Sequence, residues 1–237
     1  GGESQRRNIL LSAMEAGAEY VDVEWDTASA IPPSGSTKRI VSYHNFQETP
    51  ENLDQIHAQL RACDPDIVKL ATLAKNPKDN IRMLELVRES PVSTTAFCMG
   101  SLGLVSRVLT GKYGAPWTYA SASEAEVVAP GQLSYETMIR RYRYHLIDRD
   151  TELYGVVGDP IEHSLSPHIH NAAFRQLEMN KVYLPFHVPV RQWKEFISAA
   201  QWLELKGISV TIPHKQAAYQ LAEVADETVQ VTGACNT

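Results

Sequence analysis

The sequence predicts an α/β protein of two parallel-sheet units, and three features predict it. From Tyr20 onward, short apolar runs alternate with longer amphipathic ones, the order of strand followed by helix. Polar and ionisable residues gather at the C-terminal ends of those runs, where parallel sheets and barrels carry their chemistry. The same rhythm then restarts after Asp148-Arg149-Asp150, a charged stretch that reads as a linker.

Each element has its own signal. A helical pattern runs from Arg6 to Gly17. The strand candidates YVDVEW, RIVSYH, IVKLAT, TTAFCM and WTYAS begin near Tyr20, Arg39, Ile67, Thr94 and Trp117. Between them, Thr49-Pro50-Glu51 opens a helix toward Ala62 and Asn76-Pro77 opens one toward Glu89, with proline where first helical turns favour it. The segment DTASAIPPSGST after Trp25 is too short and too rich in Pro, Gly and Ser for a full helix. Gln132 to Ile147 reads as a terminal helix. These repeated units fit either an open parallel sheet or part of a (β/α)8 barrel, which periodicity alone does not separate. In the second unit LYGVVG reads as a strand, the residues after Ser166-Pro167 as a helix, and VYLPFHV as extended. Gln192 to Leu203 is then helical, GISVTI extended, and Pro213 to Val224 helical.

Composition narrows the function classes. With 237 residues, 43% apolar and 21% charged, the chain has the make-up of a globular protein that buries a core. A net charge of -6 argues against coating nucleic-acid phosphates, which calls for a basic stripe. The strongest basic cluster, Arg140 to Arg143, falls in a helix-like stretch and reads as a solvated face. Cys63, Cys98 and Cys235 are odd in number and lack CxxC spacing, so neither a disulfide framework nor a zinc site is indicated. A reducing cytoplasm fits, and no apolar run reaches the ~20 residues that span a bilayer. Gly1-Gly2-Glu3 directly before a helical pattern, and TGACNT at the far end, lead us to expect truncation at both ends.

The first chemical constellation lies on the strands. Lys69 sits among Ile67, Val68, Leu70 and Ala71, and a lysine on a buried strand is costly unless it is paired or neutral. A neutral amine there could form a Schiff base with a ketone. His44, at the end of the preceding strand, suits proton transfer near neutral pH. Alone, His44 reads as a structural histidine, and Asp22 or Glu24 as a capping or paired carboxylate.

Taken in order, YVDVE, SYHNFxxTP, DIVKLAT, GLVSRV and APGQ resemble the type I 3-dehydroquinate dehydratase family from about Gly1 to Ile147. The resemblance implies the C-terminal part of a (β/α)8 TIM barrel over residues 1–148. It makes Lys69 the Schiff-base lysine and His44 the general acid and base. Arg107 goes to the substrate carboxylate and Gln132 to a lid. Asp22 and Glu24 lie on the substrate side, with Asp22 supporting the histidine, while Met99 and Tyr119 line the pocket. Val128 stands where the family usually has a lid serine.

The second constellation follows the linker. Ser164 and Ser166 precede a helix, where hydroxyls commonly cap and can also help a helix end hold a carboxylate. Thr211 ends a strand, and Lys215 sits in a first helical turn, against the helix dipole. Asn236 offers a neutral hydrogen-bonding group.

The motifs GxPIxHSxSPxxHN, VTIPHK and GAxNT resemble the α/β substrate-binding domain of shikimate dehydrogenase, over residues 152–237. That resemblance implies that Ser164 and Ser166 bind the shikimate carboxylate, that Thr211 and Asn236 bind ring hydroxyls, and that Lys215 is catalytic. Ser209 stands where the family commonly has Asn. Together the two resemblances imply an enzyme of the shikimate pathway and of aromatic amino acid biosynthesis, acting on 3-dehydroquinate and on 3-dehydroshikimate or shikimate. No cofactor is expected for the dehydratase part. NADP is expected for the parent dehydrogenase, although no GxGxxG follows a strand here. No nucleic-acid or membrane partner is expected, and the location is cytoplasmic, or a plastid if a transit peptide precedes the chain. A Schiff-base aldolase barrel would share the strand lysine but not SYHNF, GLVSR and APGQ together. A non-catalytic remnant that binds shikimate-like acids is the other alternative.

Overall fold

The computed structural model describes residues 2–126, 129 and 131–237; Val128, the expected lid departure, lies outside the described residues. The first unit runs α1 (Glu3–Glu15), β1 (Tyr20–Glu24), β2 (Lys38–Asn45), α2 (Leu53–Arg61), β3 (Ile67–Leu73), α3 (Pro77–Glu89), β4 (Thr94–Met99) and α4 (Leu104–Leu109). Its strands form one parallel sheet in the order β1-β2-β3-β4, each joined to the next by a helix or, after β1, by the short 3-10 turn Trp25–Ala30.

Alternation along the strands decides what each face carries. Val21, Val23, Val41, Val68, Leu70, Ala96 and Cys98 point to one side and pack with Met14, Leu60, Met83 and Val87 of the covering helices. The register Glu24↔Ser42↔Lys69↔Thr95 puts Glu24 and Lys69 level on the other side, with Asp22 and His44 on the same face two residues before and after that row. Helix α3 is well started: Asn76 accepts from the Lys78 amide at 2.9 Å, and Asp79 returns to the Asn76 amide at 3.1 Å, a capping box with Pro77 behind it.

Two expected elements differ. WTYAS forms no strand, pairing through an isolated parallel bridge of Ser121 with Ser134; before it the chain crosses one face of the sheet, anchored by its aromatics. Trp117 meets Tyr20 edge-on with centroids 5.2 Å apart, and the Trp117 carbonyl accepts from Thr95 Oγ1 at 3.2 Å. The terminal helix is also broken. A π turn at Thr137–Arg141 gives way to Arg143 at φ +53°, and a 3-10 turn Tyr144–Leu146 follows, so Met138 and Tyr142 are buried without a continuous helix. The six residues of α4 are too few for periodicity to reveal.

The second unit runs β5 (Glu152–Gly158), α5 (Ser166–Gln176), β6 (Lys181–His187), α6 (Trp193–Trp202), β7 (Gly207–Val210), α7 (Lys215–Leu221) and α8 (Glu227–Thr232). Its parallel sheet has the order β6-β5-β7. Helix α5 covers Tyr154, Val156 and Tyr183 with Phe174. On the opposite face, Val157, Leu184, Phe186 and Val210 meet Phe196 and Ala199 of α6, and the same cluster takes in Ile81 and Leu84 of α3 with Val108 and Leu109 of α4. The two units therefore share one apolar core across their seam. Tyr113 packs on Trp202 at 5.0 Å between centroids, and Lys112 Nζ donates to the Thr151 carbonyl at 3.0 Å.

Candidate active sites

The first site is built on the polar face of the β1–β4 sheet. Lys69 is buried at mid-β3, and its Nζ donates to Asp22 Oδ2 at 2.7 Å. Burying a lysine demands such a partner. The ammonium also lies 4.3 Å from the centre of the Tyr119 ring, a cation–π contact. Tyr119 reaches that point because the chain crosses the sheet there before Ser121 pairs with Ser134.

His44, at the end of β2, places Nδ1 2.7 Å from Glu24 Oε1 and stacks at 6.1 Å on Phe46. This corrects the expected pairing: Glu24, not Asp22, supports the histidine, while Asp22 serves the lysine. The reason is register. Asp22 and Glu24 share a face two residues apart, and the later of the two lies nearer the strand end that His44 occupies.

Arg107 projects from α4 and is 1% exposed. Its Nη1 donates to the Tyr119 carbonyl at 2.9 Å and its guanidinium carbon lies 4.2 Å from the Phe97 ring centre. Among the described residues, Arg107 Nε and Nη2 have no hydrogen-bond partner although both are buried. Burial without an opposing carboxylate pushes this guanidinium down to about 10. Two adjacent N–H groups so placed are a fork for a carboxylate. Met99 is buried with Ala71 and Phe97, packing at the strand end rather than presenting a polar group. Gln132 follows Gly131, whose φ of +68° and closeness to the Gly100 backbone leave no room for a side chain, so Gly131 rests on the loop after β4.

In the second unit the expected residues come together by backbone pairing. The Asn236 carbonyl accepts from the Val210 amide at 2.8 Å, and the Lys215 carbonyl accepts from the Cys235 amide at 2.9 Å. GACNT thus runs back beside β7, next to Thr211. Gly158 lies so close to Thr211 that a Cβ would meet its methyl group, which brings the loop carrying Ser164 and Ser166 to the same sheet end. The Ser166 amide donates to Ser164 Oγ at 3.3 Å as α5 begins. Lys215 is the first residue of α7, and the Asn236 side chain is exposed.

Several structural partners had no distinct sequence signal. His214, beside Lys215, is buried, bonds the Val188 carbonyl through Nε2 at 2.6 Å and stacks on Trp193 at 4.8 Å, fixing the start of α7. Asn171 holds both backbone groups of Tyr183 at 2.8 Å, and Tyr183 Oη donates to Ser209 Oγ at 2.8 Å.

Comparison with known proteins fits this geometry. The family model described as type I 3-dehydroquinase matches residues 1–149, and the one described as the shikimate dehydrogenase substrate binding domain matches residues 156–237. The chloroplastic bifunctional 3-dehydroquinate dehydratase/shikimate dehydrogenase of Arabidopsis thaliana is 39% identical over 245 residues, covering 100% of this chain and 40% of that protein. The chain therefore spans well under half the length of this relative. A shikimate dehydrogenase (NADP(+)) of Methanopyrus kandleri is 44% identical over 91 residues, covering 38% of this chain and 31% of its own. Among solved structures, the dehydroquinate dehydratase and shikimate dehydrogenase of S. pombe AroM superposes with a TM-score of 0.51 at 26% identity, covering 99% of this chain and 46% of that one. With a lysine, a histidine and an arginine on one sheet face and the family model matched across that whole unit, the chain belongs to the type I 3-dehydroquinase family, joined to a shikimate dehydrogenase substrate-binding segment.

Proposed function

We propose that this chain carries the Schiff-base machinery of a 3-dehydroquinate dehydratase in residues 1–148 and the hydroxy-acid site of a shikimate dehydrogenase in residues 152–237. The observation that carries the first half is the contact of the buried Lys69 with Asp22 beside the His44–Glu24 pair. Lys69 passes a proton to Asp22 and its free amine attacks the substrate ketone; water leaves and an iminium remains. His44 removes a proton from the adjacent carbon, and the electron pair moves to the iminium nitrogen. The resulting enamine expels the β-hydroxyl, which takes a proton from His44 and departs as water. Hydrolysis of the product imine frees Lys69. Arg107 holds the carboxylate throughout, and Gln132 closes over the substrate.

At the second site Ser164 and Ser166 bind the carboxylate of the hydroxy acid, while Thr211 and Asn236 hold its hydroxyls. Lys215 takes the proton from the carbinol oxygen as hydride leaves the carbon, or returns it in the reverse direction. NADP supplies the hydride chemistry when bound. The chain's own residues offer no glycine-rich strand–turn–helix cradle for a pyrophosphate, so they do not fit the dinucleotide and no binding of it is assigned to them. The dehydratase chemistry needs no cofactor. The partners are these small acids, and the compartment is the cytoplasm or a plastid.

Borohydride trapping of the intact protein with 3-dehydroquinate tests the first half. A covalent adduct on Lys69 is expected, and an adduct that persists in Lys69→Ala overturns the assignment. Undiminished NADP-dependent shikimate oxidation in Lys215→Ala counts equally against the second.

A further inference from the structure

One histidine stands between the two sites and belongs to neither. His187 closes β6, level with Gly158 at the end of β5. Its Nε2 lies 3.0 Å from Asp159 Oδ1, and its Nδ1 lies 3.0 Å from Ser101 Oγ and 3.4 Å from Glu162 Oε1. A neutral ring with its proton on Nε2 donates to Asp159 and accepts from the Ser101 hydroxyl, which satisfies both nitrogens.

These partners come from opposite sides of the seam. Asp159 and Glu162 begin the loop that leads to Ser164 and Ser166. Ser101 follows Gly100, the residue on which Gly131 packs. The base of the serine loop is held by the Asp159 amide on the Ile212 carbonyl at 3.0 Å and by the Val188 amide on the Gly158 carbonyl at 3.1 Å. Beyond it, Ile161 packs on Val156 and Tyr183, while the bonds of Ile161 to Glu162 and of Ser164 to Ile161 are internal to the loop. The hydrogen bond of His187 to Asp159 adds a polar tie from β6 to the base of this loop, and Ser101 fixes the ring that makes it.

We propose that His187 is a positioning residue for the hydroxy-acid site, oriented by Ser101 of the dehydratase unit, so that a barrel residue tunes the affinity of the dehydrogenase site. The proposal rests on Ser164 and Ser166 being the carboxylate ligands. A purely structural role for His187 would lower stability without sorting kinetic constants. A positioning role shows selectively in the KM of the acid.

The test is steady-state shikimate oxidation with NADP by the intact protein and its Ser101→Ala, His187→Ala, His187→Gln and Ser101→Ala/His187→Ala variants. Losing one such hydrogen bond should raise the shikimate KM about 3- to 10-fold in Ser101→Ala, and at least as much in His187→Ala. The kcat and the KM for NADP should hold. The double variant should be no worse than His187→Ala, since both act through one ring. His187→Gln, which keeps a donor and an acceptor, should recover most of the loss. An unchanged shikimate KM in Ser101→Ala, additive effects, or a lowered thermal midpoint with intact KM overturns the coupling. Absence of shikimate oxidation in the unsubstituted protein instead sinks the reading of the serine loop itself, and the two failures are told apart by that control.

Discussion

Lys69 Nζ reaches Asp22 Oδ2 at 2.7 Å across the intervening strand β2 on a diagonal, since Lys69 is level with Ser42 and Glu24 while Asp22 is level with Ile40. Asp22 is thus the group positioned to take the proton that imine formation requires. Asp22→Asn should lower dehydratase kcat by about 10²-fold, the lower end of general acid–base contributions, while borohydride still traps an adduct. Lys69→Ala should abolish the adduct altogether. Full activity in Asp22→Asn would falsify the proton-acceptor role.

His44 should show the opposite separation. Imine formation does not need it, but removal of the carbon-bound proton does. His44→Ala should therefore lose about 10²- to 10⁴-fold in kcat and still accumulate a trappable adduct. Glu24→Gln should cost less and act only through His44, so that it adds nothing in the His44→Ala background. A further loss in the double variant would mean that Glu24 touches the substrate in its own right.

Arg107 sets binding against stability. Its folded-state value near 10 lies below the ordinary 12.5, so the unfolded chain holds the proton more tightly. The charged form then costs the fold on the order of 3 kcal/mol at neutral pH, a cost relieved as pH rises through the window between those values. Arg107→Met should keep or raise the thermal midpoint near pH 7 while raising the 3-dehydroquinate KM by at least about tenfold. A lower midpoint together with an unchanged KM would show that Arg107 is there for packing alone.

Much of this was legible in the sequence because the costly residues stand out. Lys69 among Ile67, Val68, Leu70 and Ala71 marks a site before any fold is known. What sequence could not supply is register. Asp22 and Glu24 alternate onto the same face, and only the alignment of β1 with β2 and β3 decides which serves the lysine and which the histidine. WTYAS has the composition of a strand, but a strand needs a neighbour's backbone, and here Trp117 and Tyr119 find better partners in Tyr20, Phe97 and Lys69. His187 carried no signal because its partners lie 28 and 86 residues away.

Cys98 offers a check on burial. It is fully buried behind the β4 strand, and desolvation pushes its thiol up to about 12 despite hydrogen bonds from Thr49, Thr72 and Ser106. Thiolate, not thiol, is the reactive form. Iodoacetamide at pH 8 should label the half-buried Cys63 and Cys235 in the native protein and spare Cys98 until denaturant is added. Native labelling of Cys98, read by peptide mass spectrometry, would mean that the sheet opens on its helix side.

The shared core makes a prediction about cooperativity. Leu84 of α3 is fully buried in the cluster that includes Phe196 and Leu184 of the second unit. Leu84→Ala removes contacts from both sides of the seam at once and should cost about 2–5 kcal/mol, as large-to-small core changes do. Because one apolar cluster joins the units, the loss should appear in one transition rather than two. Denaturant unfolding followed by fluorescence separates the cases, since Trp117 lies in the first unit and Trp193 and Trp202 in the second. With the other tryptophans replaced, probes at 117 and 202 should report the same midpoint, and both should fall together in Leu84→Ala. Midpoints that split, with only the Trp117 transition moving, would show that the seam is adhesive rather than a common core.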